Sequence, residues 1–180
     1  MRYAEFTPEL VAPCGMNCAV CGGYLALKHD VKSKGIRMPY CKGCRPRDKK
    51  CAFLKKRCEL LLNNKVKFCY ECKDFPCERL KHIDKRYQTL FRMSLTDNLE
   101  FIKKNGVSRF LKIQEIKWQC PKCGEVICCQ NGECFNCSLD KLKNKKNLYQ
   151  KNYFLTYITH MISVIITFIQ EASKIQRRIQ

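Results

Sequence analysis

Apolar residues recur at helical spacing along most of the chain, and this pattern predicts a protein built mainly from short helices. Between residues 52 and 63, for example, Leu54, Cys58 and Leu61 fall on one face of a helix. Gly106 follows another apolar run and is suited to end a helix there, because glycine readily adopts positive φ. Helices are predicted from Cys18 to about Gly35, over residues 52–63, from Pro76 to about Tyr87, and over residues 96–105. Ser108 is predicted to cap one further helix, which extends to about Trp118.

Cysteines interrupt this helical pattern at a density that ordinary packing does not explain. The chain has 16 cysteines among 180 residues, and C-x-x-C pairs lie at 18/21, 41/44, 69/72, 120/123 and 134/137. A tight turn can place both sulfurs of such a pair on one metal ion, at about 2.3 Å from zinc. Residues 1–10 contain acids and a proline where a secretory signal needs an apolar run. We therefore expect a cytoplasmic protein whose thiols stay reduced and bind metal.

Residues 120–137 form the clearest motif. Cys120 and Cys123 make one pair, and Cys134 and Cys137 make another after a short interval. Two such turns at the ends of a β-hairpin bring four sulfurs into a tetrahedron, which is the zinc-ribbon arrangement. Adjacent cysteines rarely serve one tetrahedral ion, so at least one of the intervening pair at 128 and 129 is predicted to lie outside the ligand set.

The N-terminal part of the chain contributes a second set of candidate metal ligands. Cys58 lies on the apolar face of a predicted helix and is the cysteine most readily assigned to packing. Which of the other nine cysteines share an ion cannot be deduced from their order. Together with the four cysteines of the ribbon they predict two or three zinc ions. These nine candidate ligands are Cys14, Cys18, Cys21, Cys41, Cys44, Cys51, Cys69, Cys72 and Cys77.

The last forty residues differ in character from the rest. Residues 141–151 hold five lysines and no acid, as in an exposed linker, and residues 152–170 carry no charged side chain. Wound as a helix, residues 152–170 present one narrow polar stripe and are otherwise apolar. Such a helix could span a bilayer, pack on the metal-binding domain or pair with a second copy of itself.

The net charge of +19 indicates an acidic partner. Three four-cysteine zinc sites would lower it by about 6, so the protein would stay basic. Nucleic acid or an acidic protein is the expected partner, and residues 42–57 hold eight Lys or Arg against one Asp. The alternative interpretation of this segment is a solvated loop without a specific partner.

Signals for catalysis are weak, so an enzyme is the less favoured interpretation. The chain lacks the H-E-x-x-H, G-x-S-x-G and P-loop motifs. It has three histidines, of which His29 and His82 lie on polar segments and are expected to be solvated. The spacing of Cys14, Cys18 and Cys21 equals that of radical S-adenosylmethionine enzymes, but no barrel of strands and helices follows it. A non-catalytic iron–sulfur cluster stays open as an alternative to zinc, because four cysteines bind either.

Four cysteine motifs together resemble one protein family. C-G-x-x-C-x-x-C-x-x-Y stands at residues 14–24, C-x-G-C at 41–44, F-C-x-x-C-x-x-F-P-C at 68–77 and W-x-C-P-x-C-G at 118–124. In this order they resemble an uncharacterised prokaryotic family, domain of unknown function 3795, over about residues 10–140. The resemblance implies a small, cysteine-rich, zinc-binding protein and no assigned activity.

The sequence thus predicts a small, metal-stabilised, mainly α-helical domain with a C-terminal zinc-ribbon hairpin and a terminal hydrophobic helix. We divide it into a cysteine-rich helical metal-binding domain over residues 1–112, a zinc ribbon over 113–140, and a basic linker with the hydrophobic helix over 141–180. The expected role is that of a zinc-stabilised binding module. The alternatives are an iron–sulfur redox protein and a membrane-tethered metal-binding adaptor.

Overall fold

A computed structural model describes residues 6–47 and 57–144 of the chain. The described residues up to Leu139 form one compact unit, and the boundary to a second unit falls between Leu139 and Asp140. The predictions made for Cys51 and for the hydrophobic segment 152–170 lie outside the described residues. The three-part division of the chain likewise stays a prediction.

The described residues are mainly helical, as the apolar spacing predicted. No described helix is both long enough and apolar enough to cross a membrane. Short 3-10 turns also occur at Pro8–Leu10, Cys18–Val20 and Cys69–Glu71. The α-helices are α1 (Gly22–Lys28), α2 (Glu59–Leu62), α3 (Glu78–Phe91), α4 (Leu95–Asn105), α5 (Val107–Lys117) and α6 (Leu139–Asn144).

β-Structure in the described residues is limited to isolated antiparallel bridges. One joins Val11 to Asn17, and two lie in the predicted ribbon, between Gln119 and Val126 and between Ile127 and Cys134. The chain therefore reverses direction where a hairpin was predicted, but the described residues contain no extended strand there.

Some predicted helix boundaries are correct and others are wrong. Gly106 ends α4 with φ +79°, as predicted. It also precedes α5, which begins at Val107, so Ser108 lies inside the helix instead of capping it. Pro76 was expected at the first position of α3, but Cys77 is the N-cap and the helix begins at Glu78.

The core forms where α3, α4 and α5 pack around the cysteine-rich N-terminal loops. Its fully buried side chains include Leu25, Leu80, Leu95, Leu99 and Ile102. Gly15 lies against this core with φ +83°, and a Cβ there would stand 2.7 Å from the Leu95 carbonyl oxygen. Only glycine fits both the backbone conformation and the space, so the Cys14-Gly15 pair fixes the loop against α4.

A buried carboxylate joins α3 to the start of α4. Asp84 accepts hydrogen bonds from the Leu95 backbone N–H, the Ser94 hydroxyl and the Gln88 side-chain amide. Ser94 is the N-cap of α4 and accepts from the backbone N–H of Asp97 at 3.0 Å. Asp84 thus lies at the positive end of the α4 dipole, where negative charge is stabilised.

Residues 119–137, called the ribbon segment after the prediction made for them, pack directly on the N-terminal cysteine loop. The Cys129 backbone N–H donates to the Val20 carbonyl at 3.0 Å, and the Gln130 side-chain oxygen accepts from the Gly22 N–H at 2.8 Å. A Cβ on Gly22 would stand 2.9 Å from that oxygen. The first turn of α1 and the ribbon therefore form one packed unit.

Candidate metal centre

The structure brings the four cysteines of the ribbon motif together. The sulfurs of Cys120, Cys123, Cys134 and Cys137 all lie within 4.8 Å of one another. The distance is 3.6 Å between the sulfurs of Cys120 and Cys137, and 3.5 Å between those of Cys123 and Cys134. Sulfurs at the corners of a tetrahedron around one zinc ion would be separated by about 3.8 Å, given the usual zinc–sulfur distance. This donor set therefore fits a single tetrahedral metal ion.

Two equivalent turns position these sulfurs. The Gly124 N–H donates to the Cys120 carbonyl at 2.8 Å, and the Ser138 N–H donates to the Cys134 carbonyl at 3.0 Å. Each turn aims a C-x-x-C pair at the same point, and Gly124 supplies the positive φ that closes the first of them. The bridge between Ile127 and Cys134 brings the second turn alongside the first.

A third turn in the ribbon repeats the first one without completing a metal site. The Cys120 N–H donates to the Glu125 carbonyl, and eight residues later the Cys128 N–H donates to the Glu133 carbonyl. In this repeat Asn131 occupies the position that corresponds to Cys123. Cys128 and Cys129 both lie outside the four-sulfur group. Both are buried beside the N-terminal loop: the Cys129 N–H donates to the Val20 carbonyl, and the Cys128 sulfur would stand 3.4 Å from a Cβ on Gly22.

Electrostatics concentrate negative charge on one sulfur of the group. Burial raises the pKa of Cys120, but the backbone N–H groups of Lys122 and Cys123 and the neighbouring thiols outweigh it and lower the pKa to about 7. Burial raises the pKa of Cys134 to about 12, against the opposing effect of the Cys137 and Asn136 backbone. Four thiolates so close together repel one another, and a dication removes that repulsion. Metal binding at this site must therefore release protons.

The nine other predicted ligands are less tightly grouped where they are described. None of the eight that fall in residues 6–47 and 57–144 belongs to a comparable set of three or more donors. Cys14, Cys18, Cys44 and Cys69 lie on three loops that meet. Cys72 is 4.0 Å from an Asp74 carboxylate oxygen, and Cys77 begins α3. Cys21 and Cys41 lie near α1, where the Cys41 Cβ would stand 3.2 Å from a Cβ on Gly23.

Arg45 lies in the basic segment 42–57 that was predicted to contact an acidic partner, but its guanidinium is turned inward. The Nε donates to the Val11 carbonyl and a terminal nitrogen donates to the Lys67 carbonyl, both at 2.6 Å. The guanidinium also lies 4.6 Å from the ring centre of Phe68. Arg45 therefore ties three cysteine-bearing loops together.

His29 is largely covered beside the ribbon segment, so its expected solvated position is wrong. Its side chain is 12% exposed, and its Nε2 lies 3.9 Å from a Glu125 carboxylate oxygen. The imidazole packs on Phe135, with 6.2 Å between ring centroids. Lys28 approaches the same carboxylate at 3.8 Å. The end of α1 and the ribbon thus enclose a small group of charges. His82, by contrast, is exposed as expected.

Acidification is expected to destabilise the fold partly through His29. Burial lowers the pKa of His29 below 6.5; the charges of Lys28 and Lys34 add to this, and Glu125 opposes it. The unfolded chain therefore takes up this proton first, so stability falls as the pH drops from about 6.5 towards the lower folded-state pKa. The free energy of unfolding, measured with urea, should fall more between pH 7.5 and pH 5.5 in the wild type than in His29→Gln. Equal losses would contradict this assignment, and effects of acid on the metal sites cancel in the comparison.

The comparisons with known proteins extend only to the N-terminal part. Residues 10–82 match the family described as Protein of unknown function (DUF3795). The resemblance inferred from the cysteine motifs is confirmed for these residues, which are fewer than half of the 180. The match does not reach residues 118–124, so the four-sulfur group lies beyond it. No curated protein and no solved structure matches the chain significantly.

Proposed function

We propose that this chain is a zinc-binding protein in which metal stabilises a small helical scaffold, and that the scaffold binds nucleic acid. The observation that carries the proposal is the close group of Cys120, Cys123, Cys134 and Cys137, whose sulfurs all lie within 4.8 Å of one another. A site of four cysteines leaves no open position for substrate, which is typical of structural zinc. This favours a binding module over an enzyme.

The sulfur spacing favours one ion over a multi-iron cluster. In a four-iron cluster each cysteine binds a different iron, so the four sulfurs must stand farther apart than sulfurs that share one ion. The distances of 3.5 and 3.6 Å between paired sulfurs suit a shared ion. Zinc is the usual metal of such a ribbon.

Elemental analysis of the full chain, purified without oxygen, tests the metal assignment. We expect a colourless protein that contains zinc and neither iron nor acid-labile sulfide. Brown protein with iron and sulfide would replace this proposal by an iron–sulfur redox protein. Red protein with one iron and no sulfide would keep the four-sulfur site but change its metal.

Exposed basic side chains on α3 support nucleic acid as the partner. Arg79, His82, Lys85 and Arg86 project from the side of this helix opposite the core residue Leu80, and all four are exposed. Acidic residues are scarce on this side: Glu78 pairs with Lys81 at 2.7 Å. A helical row of basic residues can follow a phosphate backbone.

Binding to a short duplex DNA or RNA should weaken steeply with salt. If Lys85 and Arg86 each contact a phosphate, Lys85→Gln with Arg86→Gln should reduce the slope of log K against log salt by about 2. Lys34→Gln with Arg37→Gln, which changes two exposed charges on the loop after α1, serves as the control and should leave the slope unchanged. Binding that is absent or indifferent to salt would exclude nucleic acid and leave an acidic protein as the partner to test.

A further inference from the structure

We propose that a second sulfur-bound metal ion lies where three N-terminal loops meet, with Cys14, Cys18, Cys44 and Cys69 as its ligands and Arg45 as a positioning residue. The inference rests on the proposed metal-binding function and extends it to the part of the chain that matches the family. It commits to one of the pairings that the order of the cysteines leaves open.

Backbone contacts hold the three loops together at this point. The Cys44 N–H donates to the Cys18 sulfur at 3.2 Å, which joins the second loop to the first. The Cys69 N–H donates to the Pro13 carbonyl at 2.9 Å, which places the third loop beside Cys14. An N–H directed at a sulfur stabilises a thiolate, which is the form that binds metal. The four cysteines are therefore neighbours in space although up to 55 residues separate them in sequence.

Two glycines next to proposed ligands allow close packing at this junction, one against α4 and one against another loop. Gly15 lies against α4, as described above, and fixes the loop that follows Cys14. Gly43 has φ +103°, and a Cβ there would stand 2.8 Å from Leu10. Both glycines precede or follow a proposed ligand directly, so the backbone at Cys14 and Cys44 has little freedom to move away.

Charge at the junction complements a tetrathiolate site. Zinc with four thiolates carries a net charge of −2, and such a charge is costly to bury without a compensating cation. The guanidinium of Arg45 supplies one. Its Nε donates to the Val11 carbonyl on the loop of Cys14, and a terminal nitrogen donates to the Lys67 carbonyl on the loop of Cys69, so this charge lies between the loops. Cys14 and Cys18 are themselves buried, so their thiolates need this charge.

Among the described residues, the sulfurs at the junction lie farther apart than the four ribbon sulfurs, which are all within 4.8 Å of one another. Rotation about the Cα–Cβ bond of each cysteine moves its sulfur, and the rotamers available to an unbranched side chain differ little in energy. A metal ion that binds four thiolates supplies far more free energy than such rotations cost. The site therefore requires only that the backbone already place the four cysteines side by side, and the loop contacts described above do this.

Cobalt titration of the full chain, monitored by thiolate-to-cobalt charge-transfer absorbance and by native mass spectrometry, tests this site. Each of Cys14→Ser, Cys18→Ser, Cys44→Ser and Cys69→Ser should bind one ion fewer than the wild type. Cys58→Ser is the matched control and should bind the same number, because Cys58 is half-buried at the N-cap of α2 and outside the junction. Full stoichiometry in any of the four variants would overturn the assignment.

Two further variants separate loss of a ligand from loss of the fold. Cys69→His keeps a metal-binding group and should restore the ion with a blue-shifted cobalt spectrum; failure to restore it would count against the site. Arg45→Gln should keep the number of ions but weaken retention of the second ion about 10- to 100-fold, as loss of an outer-shell partner does. Unchanged retention would remove Arg45 from the proposal.

The ribbon variant distinguishes this inference from the proposed function. Cys120→Ser with Cys123→Ser should lose the ribbon ion and keep the ion at the junction. If that variant binds no metal while the wild type binds one ion, the second site is wrong and the zinc-binding function stands. If the wild type binds no metal at all, both fail.

Discussion

Replacing Cys120 and Cys123 by serine is expected to remove one metal ion per chain and to lower the unfolding temperature by about 8–16 °C. Structural zinc contributes roughly 10–16 kcal/mol in isolated zinc fingers. Here the ribbon also packs on α1, so we expect a smaller loss, on the order of 4 kcal/mol, and each kcal/mol shifts the midpoint by about 2–4 °C in a chain of this size. Metal content and thermal melting of the variant measure both effects.

Cys129→Ala is the matched control for this experiment. Cys129 is buried to a similar extent as Cys120 but lies outside the group of four sulfurs. Its substitution should keep the ion and cost only about 1–2 kcal/mol through lost packing. If the control loses the ion, or if the serine variant keeps it, the ligand set of the ribbon is wrong.

Asp84→Ala should lower the free energy of unfolding by about 3–5 kcal/mol without changing the number of bound metal ions. The substitution leaves the Leu95 N–H, the Ser94 hydroxyl and the Gln88 amide without their common acceptor. Hydrogen bonds to a charged group contribute roughly 1.5–3 kcal/mol each, although members of one network are not additive. Urea unfolding together with metal analysis measures the two quantities.

His82→Ala on the same helix provides the comparison, because His82 is exposed and its loss should change stability by no more than about 0.5 kcal/mol. Similar costs for the two variants would show that Asp84 does not join α3 to α4 in the way described. Loss of a metal ion from Asp84→Ala would mean that the helices and the metal centres depend on one another.

Local signals in the sequence were sufficient to predict the ribbon sulfurs. Each C-x-x-C pair is closed by a turn within a few residues, and Cys123 and Cys134 are separated by a short segment that can only double back. Helix α4 was also predictable, because an apolar run ends there at Gly106. In both cases the information lies within one short segment, residues 120–137 for the ribbon and 95–106 for α4.

Features that depend on distant contacts could not be predicted in this way. His29 looked solvated because the segment around it is polar, yet it is covered by Phe135, more than 100 residues away. Arg45 belongs to a basic segment by composition, but its partners are carbonyls of two other loops. The apolar and polar pattern carries no information on such contacts. For the same reason the junction of Cys14, Cys18, Cys44 and Cys69 became visible only in the structure.

Removal of metal from the full chain tests most directly the claim that these sulfurs bind ions that stabilise the fold. Thermal melting followed by circular dichroism should show the transition shifted to lower temperature, or lost, after treatment with a strong chelator under reducing conditions. Addition of stoichiometric zinc should restore it. An unchanged transition in chain shown to be free of metal would contradict the account.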